Sequence, residues 1–116
     1  MKVLVVDDSM TARKITIRAL KQIDDSLEFT EAKDAASGLA AFEADEFDLA
    51  MIDFNMPGED GMWLCERIQG ANRGVKTVLC TANTQQALQA RADKLSVPVV
   101  HKPLSAEKVS AFVAGG

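Results

Sequence analysis

Apolar residues in this chain come in short unbroken runs, separated by longer stretches in which they recur every three or four positions. Residues 3–6 are all aliphatic and read as a strand. Ser9 then offers a side-chain oxygen to cap a helix whose Ala12, Ile15, Ala19 and Ile23 fall on one face. Residues 27–31 alternate apolar and polar, as a strand near a sheet edge does. Asp34 can cap a second helix running through Leu39, Ala40 and Glu43 to Ala44. Residues 47–52 form the third strand, Pro57 and Gly58 mark a turn, and a helix follows over 61–69 with Leu64, Cys65 and Ile68 inward. Gly70 and Gly74 bracket a loop before a fourth strand at 76–80. The fourth helix, 85–94, is largely polar, with Ala87, Leu88, Ala92 and the adjoining Leu95 among its apolar positions. A fifth strand at 97–100 contains Pro98 and so suits a sheet edge. The last helix, 105–113, buries Val109, Phe112 and Val113.

Five strand–helix units in strict alternation predict a parallel sheet covered on both faces. The expected fold is α/β: a doubly wound, flavodoxin-like (βα)5 three-layer sandwich with strand order 2-1-3-4-5. The 116 residues fill one domain, 1–116, with no room for a second core or an output domain. In such sheets ligands bind beyond the carboxyl ends of the strands, which directs attention to that rim.

Composition narrows the function classes. Hydrophobic residues at 47% and charged residues at 26% are those of a globular protein, not a disordered one. A net charge of −4 argues against a nucleic-acid partner. No apolar run approaches the ~20 residues that span a bilayer, and the N-terminus turns acidic too soon for a signal peptide, so no membrane role and a cytoplasmic location are expected. Cys65 and Cys80 lack metal-ligand spacing and read as packed thiols.

The predicted strand ends collect an unusual set of side chains. Strand one ends in Asp7 and Asp8, strand three in Asp53 with Asn55 beyond it, strand four in Thr81, and strand five in His101 and Lys102. Three carboxylates on one rim repel one another unless a hard divalent cation joins them. Magnesium suits best, since it keeps waters and shares its remaining positions with phosphate; manganese can substitute. A carboxylate such as Asp53 can attack phosphorus to give an aspartyl phosphate. Lys102 and the metal would neutralise the transferring oxygens, and the Thr81 hydroxyl could donate to one of them. A cis Lys102–Pro103 bond would turn the ammonium back toward the carboxylates. Solvated loop ends are the bland alternative, and a nucleotide site is disfavoured because neither GxGxxG nor GxxxxGK[ST] occurs.

VLVVDDS near the start, MIDFNMPGEDG in the middle, LCTA at the fourth strand and HKPL before the last helix together resemble the receiver domain of bacterial response regulators, with DDSMTARK similar to the opening of CheY-like chemotaxis regulators. The resemblance spans the whole chain in the same order. It implies that Asp53 takes phosphate from a histidine kinase or a histidine phosphotransfer protein in a two-component phosphorelay. Asp8, Asp53 and the backbone carbonyl of Asn55 would bind magnesium, with Asp7 acting through water. Thr81 and Lys102 would contact the phosphoryl group, and phosphorylation would bias the surface of the fourth helix, fifth strand and fifth helix toward an unidentified downstream protein. A stand-alone monomeric switch, possible in chemotaxis, is the expectation.

One position departs from the family pattern. Receivers commonly carry Tyr or Phe three residues before the Lys; here that residue is Val99. Signalling then runs mainly through the loop after Thr81 (Ala82, Asn83, Thr84), or the protein acts as a phosphate sink or relay intermediate. Asn55 and Asn83 lie where side chains can influence attacking water. His101 reads as a partly exposed polar residue, Trp63 as a partly exposed ring able to anchor an interface, and Arg67, Arg73, Arg91 and Lys94 as solvated charge, with Arg91 and Lys94 on the presumed output helix. The rival class is a magnesium-dependent phosphatase with an aspartyl-phosphate intermediate, for which the chain carries no cap segment; an unphosphorylated adaptor is a third reading.

Overall fold

The structure, a computed structural model, describes residues 1–82 and 86–114. Ten elements alternate: β1 (Lys2–Val6), α1 (Met10–Ile23), β2 (Glu28–Ala32), α2 (Ala35–Ala44), β3 (Leu49–Asp53), α3 (Gly61–Gly70), β4 (Lys76–Thr81), α4 (Gln86–Lys94), β5 (Val99–His101) and α5 (Ala106–Ala114). The five strands form one parallel sheet in the order β2-β1-β3-β4-β5, the doubly wound order expected from the sequence.

Alternation along the central strands builds two cores. Val3, Val5, Leu49, Met51, Val78 and Cys80 face one layer, where Ile17 and Leu20 of α1 meet Val109 and Val113 of α5. Leu4, Val6, Ala50, Ile52 and Leu79 face the other, against Phe42 of α2, Met62, Leu64 and Ile68 of α3, and Leu88 and Ala92 of α4. Both faces of β1, β3 and β4 are therefore buried, which is why these strands read as continuous apolar runs. The edge strands β2 and β5 are only partly covered.

Helix starts are fixed by side-chain caps. Ser9 Oγ accepts from the Ala12 N–H at 3.2 Å, and Asp34 closes a capping box with Ser37. Asp60 Oδ1 accepts from the Trp63 N–H at 2.9 Å, opening α3. Gly58, at φ 81°, takes the left-handed position of the turn that Pro57 begins.

Boundaries shift by a residue or two from the sequence reading: Leu27 and Phe47 precede their strands, and β5 is the short Val99–His101 rather than 97–100. The roll of α1 differs more. Its buried stripe is Thr16, Ile17, Ala19 and Leu20, while Ile15, expected inward, is 45% exposed. Ile15 and Ala12 instead border a groove beside Pro103 and Leu104. Thr16 hid the true stripe, since it is buried while its hydroxyl marks it as polar. In α4 only Leu88 and Ala92 are buried among the described residues, and Ala87 is exposed.

These placements predict opposite outcomes for two truncations in α1. Leu20→Ala should cost about 2–5 kcal/mol in denaturant unfolding, as a fully buried leucine does. Ile15→Ala should cost less than about 1 kcal/mol.

Candidate functional site

Each central strand delivers its chemistry one or two residues beyond its last core position. Asp7 follows Val6 directly, and its N–H extends the ladder to the Ala32 carbonyl at 3.0 Å. Asp53 is the last residue of β3 and pairs in register with Cys80, so Thr81 comes one step further along the rim. Thr81 pairs in turn with His101, and the Lys102 N–H donates to the Thr81 carbonyl at 2.9 Å. The sheet itself thus sets these residues side by side.

Carboxylate oxygens of Asp7, Asp8 and Asp53 lie within 4.8 Å of one another. Asp7 and Asp53 are buried and Asp8 is exposed, so the cluster has one open side. Lys102 enters from the far end of the chain: its Nζ lies 2.8 Å from Asp7 Oδ2 and 3.0 Å from Asp53 Oδ1. The Lys102–Pro103 peptide bond is cis, as the sequence reading anticipated. Three carboxylates and one ammonium leave a formal charge of −3 + 1 = −2, which one divalent cation balances. Hard oxygen donors, close spacing and an open side fit magnesium-type binding.

Burial pushes the Asp53 carboxyl above its ordinary value, with Asp7 and Asp8 adding to the rise, while the Lys102 hydrogen bond opposes it. Burial alone would lower Lys102, but its bonds to Asp7 and Asp53 outweigh that and hold its pKa raised. The ammonium is therefore secure at neutral pH and keeps Asp53 closer to the ionised form.

Two supports were not legible as site residues. Gly61 donates its N–H to the Phe54 carbonyl at 3.0 Å, and a Cβ there would stand 2.2 Å from the Asp53 carbonyl oxygen. Only glycine lets α3 begin this close to the strand that carries Asp53. Arg13 donates through Nη1 to the Asp7 carbonyl at 2.7 Å and pairs through Nε with Glu31 Oε1 at 2.9 Å. Gly61 could have been suspected from its place after a capping Asp. Arg13 carried no local signal, because Glu31 becomes its neighbour only through strand pairing.

The other residues named from the sequence are placed as follows. Asn55 is exposed in the loop after β3. Val99 pairs with Leu79 and packs, half-buried, against the core layer of Leu88, Ala92 and Val97. His101 is exposed. Trp63 is half-buried, with the Arg67 guanidinium 5.1 Å from its ring centroid. Arg91 Nη1 lies 3.8 Å from Asp60 Oδ2, tying α4 to the start of α3. Arg73 stacks on Phe42 and donates to its carbonyl, so it is not merely solvated charge. Cys65 and Cys80 are buried free thiols pushed up to about 12 by burial, unreactive as expected. Asn83 and Thr84 lie outside the described residues.

A family model described as the response regulator receiver domain matches residues 3–114. The chain is 32% identical over 115 residues to the probable chemotaxis protein CheY of Rhizobium etli, covering 97% of this chain and 88% of that one. It is 31% identical over 110 residues to the sensory transduction protein LytT of Bacillus subtilis, covering 94% of this chain and 45% of that protein, so it spans less than half of LytT. Its fold matches a CheY-like response regulator receiver domain protein from Methanospirillum hungatei at TM-score 0.87 and 23% identity, over 98% of this chain and 90% of that one. It also matches the Vibrio cholerae chemotaxis protein CheY4 at TM-score 0.84 and 22% identity, over 98% and 96%.

The raised Asp53 pKa means the folded state holds this proton more tightly than the unfolded chain does. Its contribution to stability is therefore present below the unfolded carboxylate pKa and is lost as pH rises through the folded value. In chelator, Asp53→Asn should unfold at higher denaturant than the wild type at neutral pH. The gap should close as pH falls through the carboxylate range, which unfolding curves at a series of pH values will show.

Proposed function

The chain belongs to the response regulator receiver domains, and on that premise we propose that it is a phosphorylation switch whose acceptor is Asp53. Receiver domains of this family are signalling switches phosphorylated by histidine kinases or phosphotransfer proteins. The observation that carries the assignment to Asp53 is its pairing with Lys102 inside a cluster of three carboxylates, at the end of a central strand. Held toward the ionised form by that pairing, an Asp53 oxygen attacks the phosphorus of a phosphohistidine. The new O–P bond forms as the P–N bond breaks, and the electron pair leaves on the imidazole nitrogen, which takes a proton.

Asp8, Asp53 and the Asn55 backbone carbonyl would hold the magnesium ion, with Asp7 acting through water. Bound there, the ion supplies neutralisation of the phosphoryl oxygens. Lys102 Nζ neutralises the same oxygens and can swing from Asp53 Oδ1 while keeping Asp7 Oδ2. The Thr81 hydroxyl, buried at the end of β4, donates to a phosphoryl oxygen.

Phosphorylation then biases the α4-β5-α5 face between two arrangements that protein partners read, with chemotaxis the favoured setting because of the Rhizobium relative's name. Val99 supports a second output reading. With no ring packed between β5 and α4, the aromatic half of the relay is missing, and a phosphate sink or relay intermediate needs no such relay.

Incubation with a small phosphodonor and magnesium, followed by intact mass, tests this. One phosphoryl group should be gained per chain, and the gain should vanish in Asp53→Asn and in chelator. No gain with any donor overturns the reading, and continuous turnover of many donors per chain indicates a phosphatase instead.

A further inference from the structure

Arg13 is a largely covered cation that bonds to Asp7 and Glu31 and not to Asp53: its side chain is 13% exposed. Its guanidinium forks between the Asp7 carbonyl oxygen, 2.7 Å from Nη1, and Glu31 Oε1, 2.9 Å from Nε. Lys14 Nζ braces Glu31 from outside, 2.9 Å from Oε2.

Asp7 is fixed at every polar atom. Its N–H donates to the Ala32 carbonyl at 3.0 Å, its Oδ1 accepts from the Ser9 N–H at 3.0 Å, and its Oδ2 accepts from Lys102 at 2.8 Å. The carbonyl is the atom that belongs to the peptide plane leading into Asp8, and Arg13 is what holds it. Rotation of that plane would carry the Asp8 Cα, and with it the exposed carboxylate of the cluster. The ladder bond to Ala32 does not restrain that rotation; the Ser9 N–H bond to Asp7 Oδ1 spans the plane from its far side, and Arg13 holds the carbonyl itself.

We propose that Arg13 is a positioning residue: by clamping the Asp7 carbonyl against Glu31, it sets the Asp7–Asp8 peptide plane and so aims the Asp8 carboxylate for the divalent cation. This rests on the metal reading above. Geometry and charge make opposite demands here, which gives the idea a sign. Removing a cation near three carboxylates should tighten cation binding by Coulomb's law, whereas loosening the plane should weaken it. Partners that orient metal ligands are commonly worth about 10–100-fold in affinity.

Magnesium binding to the unphosphorylated full chain, measured by calorimetry, separates the two. Arg13→Met, which keeps the stem but loses the fork, should weaken magnesium roughly tenfold and speed hydrogen exchange at the Ser9 amide. Lys14→Met removes a cation from the same Glu31 without touching Asp7, and should leave magnesium affinity unchanged. Equal or tighter binding by Arg13→Met overturns the proposal, as does an equal loss in Lys14→Met. Should Arg13→Met not fold by circular dichroism, Arg13→Lys serves, because it keeps the charge but cannot fork between both oxygens; wild-type affinity there overturns the proposal. A wild-type chain that binds no magnesium would instead defeat the metal reading itself.

Discussion

Repulsion among three carboxylates is the constraint around which this molecule is arranged. Oxygens within 4.8 Å of one another, two of them on buried residues, oppose folding wherever they are left unbalanced. At an effective dielectric constant of about 20, each such pair costs roughly 3 kcal/mol, a large share of the stability of a small domain. Lys102 offsets part of this, and it does so from 95 residues away from Asp7. The sheet has to be complete, from β1 to β5, before that ammonium can arrive. Folding and the electrostatics of the site are thus one problem, and what Lys102 leaves over is the charge of one divalent cation.

The sheet and the acidic rim were legible because both follow from simple periodicity. Strands buried on two faces read as unbroken apolar runs, and the residues just past them have to sit on the carboxyl rim once the order is 2-1-3-4-5. Local capping rules placed Ser9 and Asp34 correctly at helix starts. The roll of α1 was not legible, since Ala12 and Ile15 compete with Thr16 and Leu20 for the inward stripe and only packing decides between them. Arg13 and Gly61 escaped for a related reason. One depends on Glu31 and the other on the Asp53 carbonyl, contacts made by the tertiary fold rather than by neighbours in sequence.

Val99 bears on what happens after the chemistry. Its side chain is packed against the core layer that Leu79 enters and to which Leu88 and Ala92 of α4 belong. Thr81 lies two residues beyond Leu79 on β4, so on the proposed reading a displacement at the rim would reach Val99 through Leu79, its partner in the ladder. An aliphatic residue at 99 transmits such a displacement by packing alone, without a rotamer change that exposes or hides a ring.

The glycine at the start of α3 has a mechanical corollary. With the α3 backbone seated directly on the Asp53 carbonyl and the Gly61 N–H bonded to the Phe54 carbonyl, the start of α3 is tied to the end of β3. Compliance is therefore concentrated on the opposite flank, where α4 is anchored by only two buried side chains among its described residues and by the half-exposed Arg91–Asp60 pair. Were Asp53 phosphorylated as proposed, load applied there would be shed toward α4, and the asymmetry of the two flanks rather than any single moving residue would set the direction of the response.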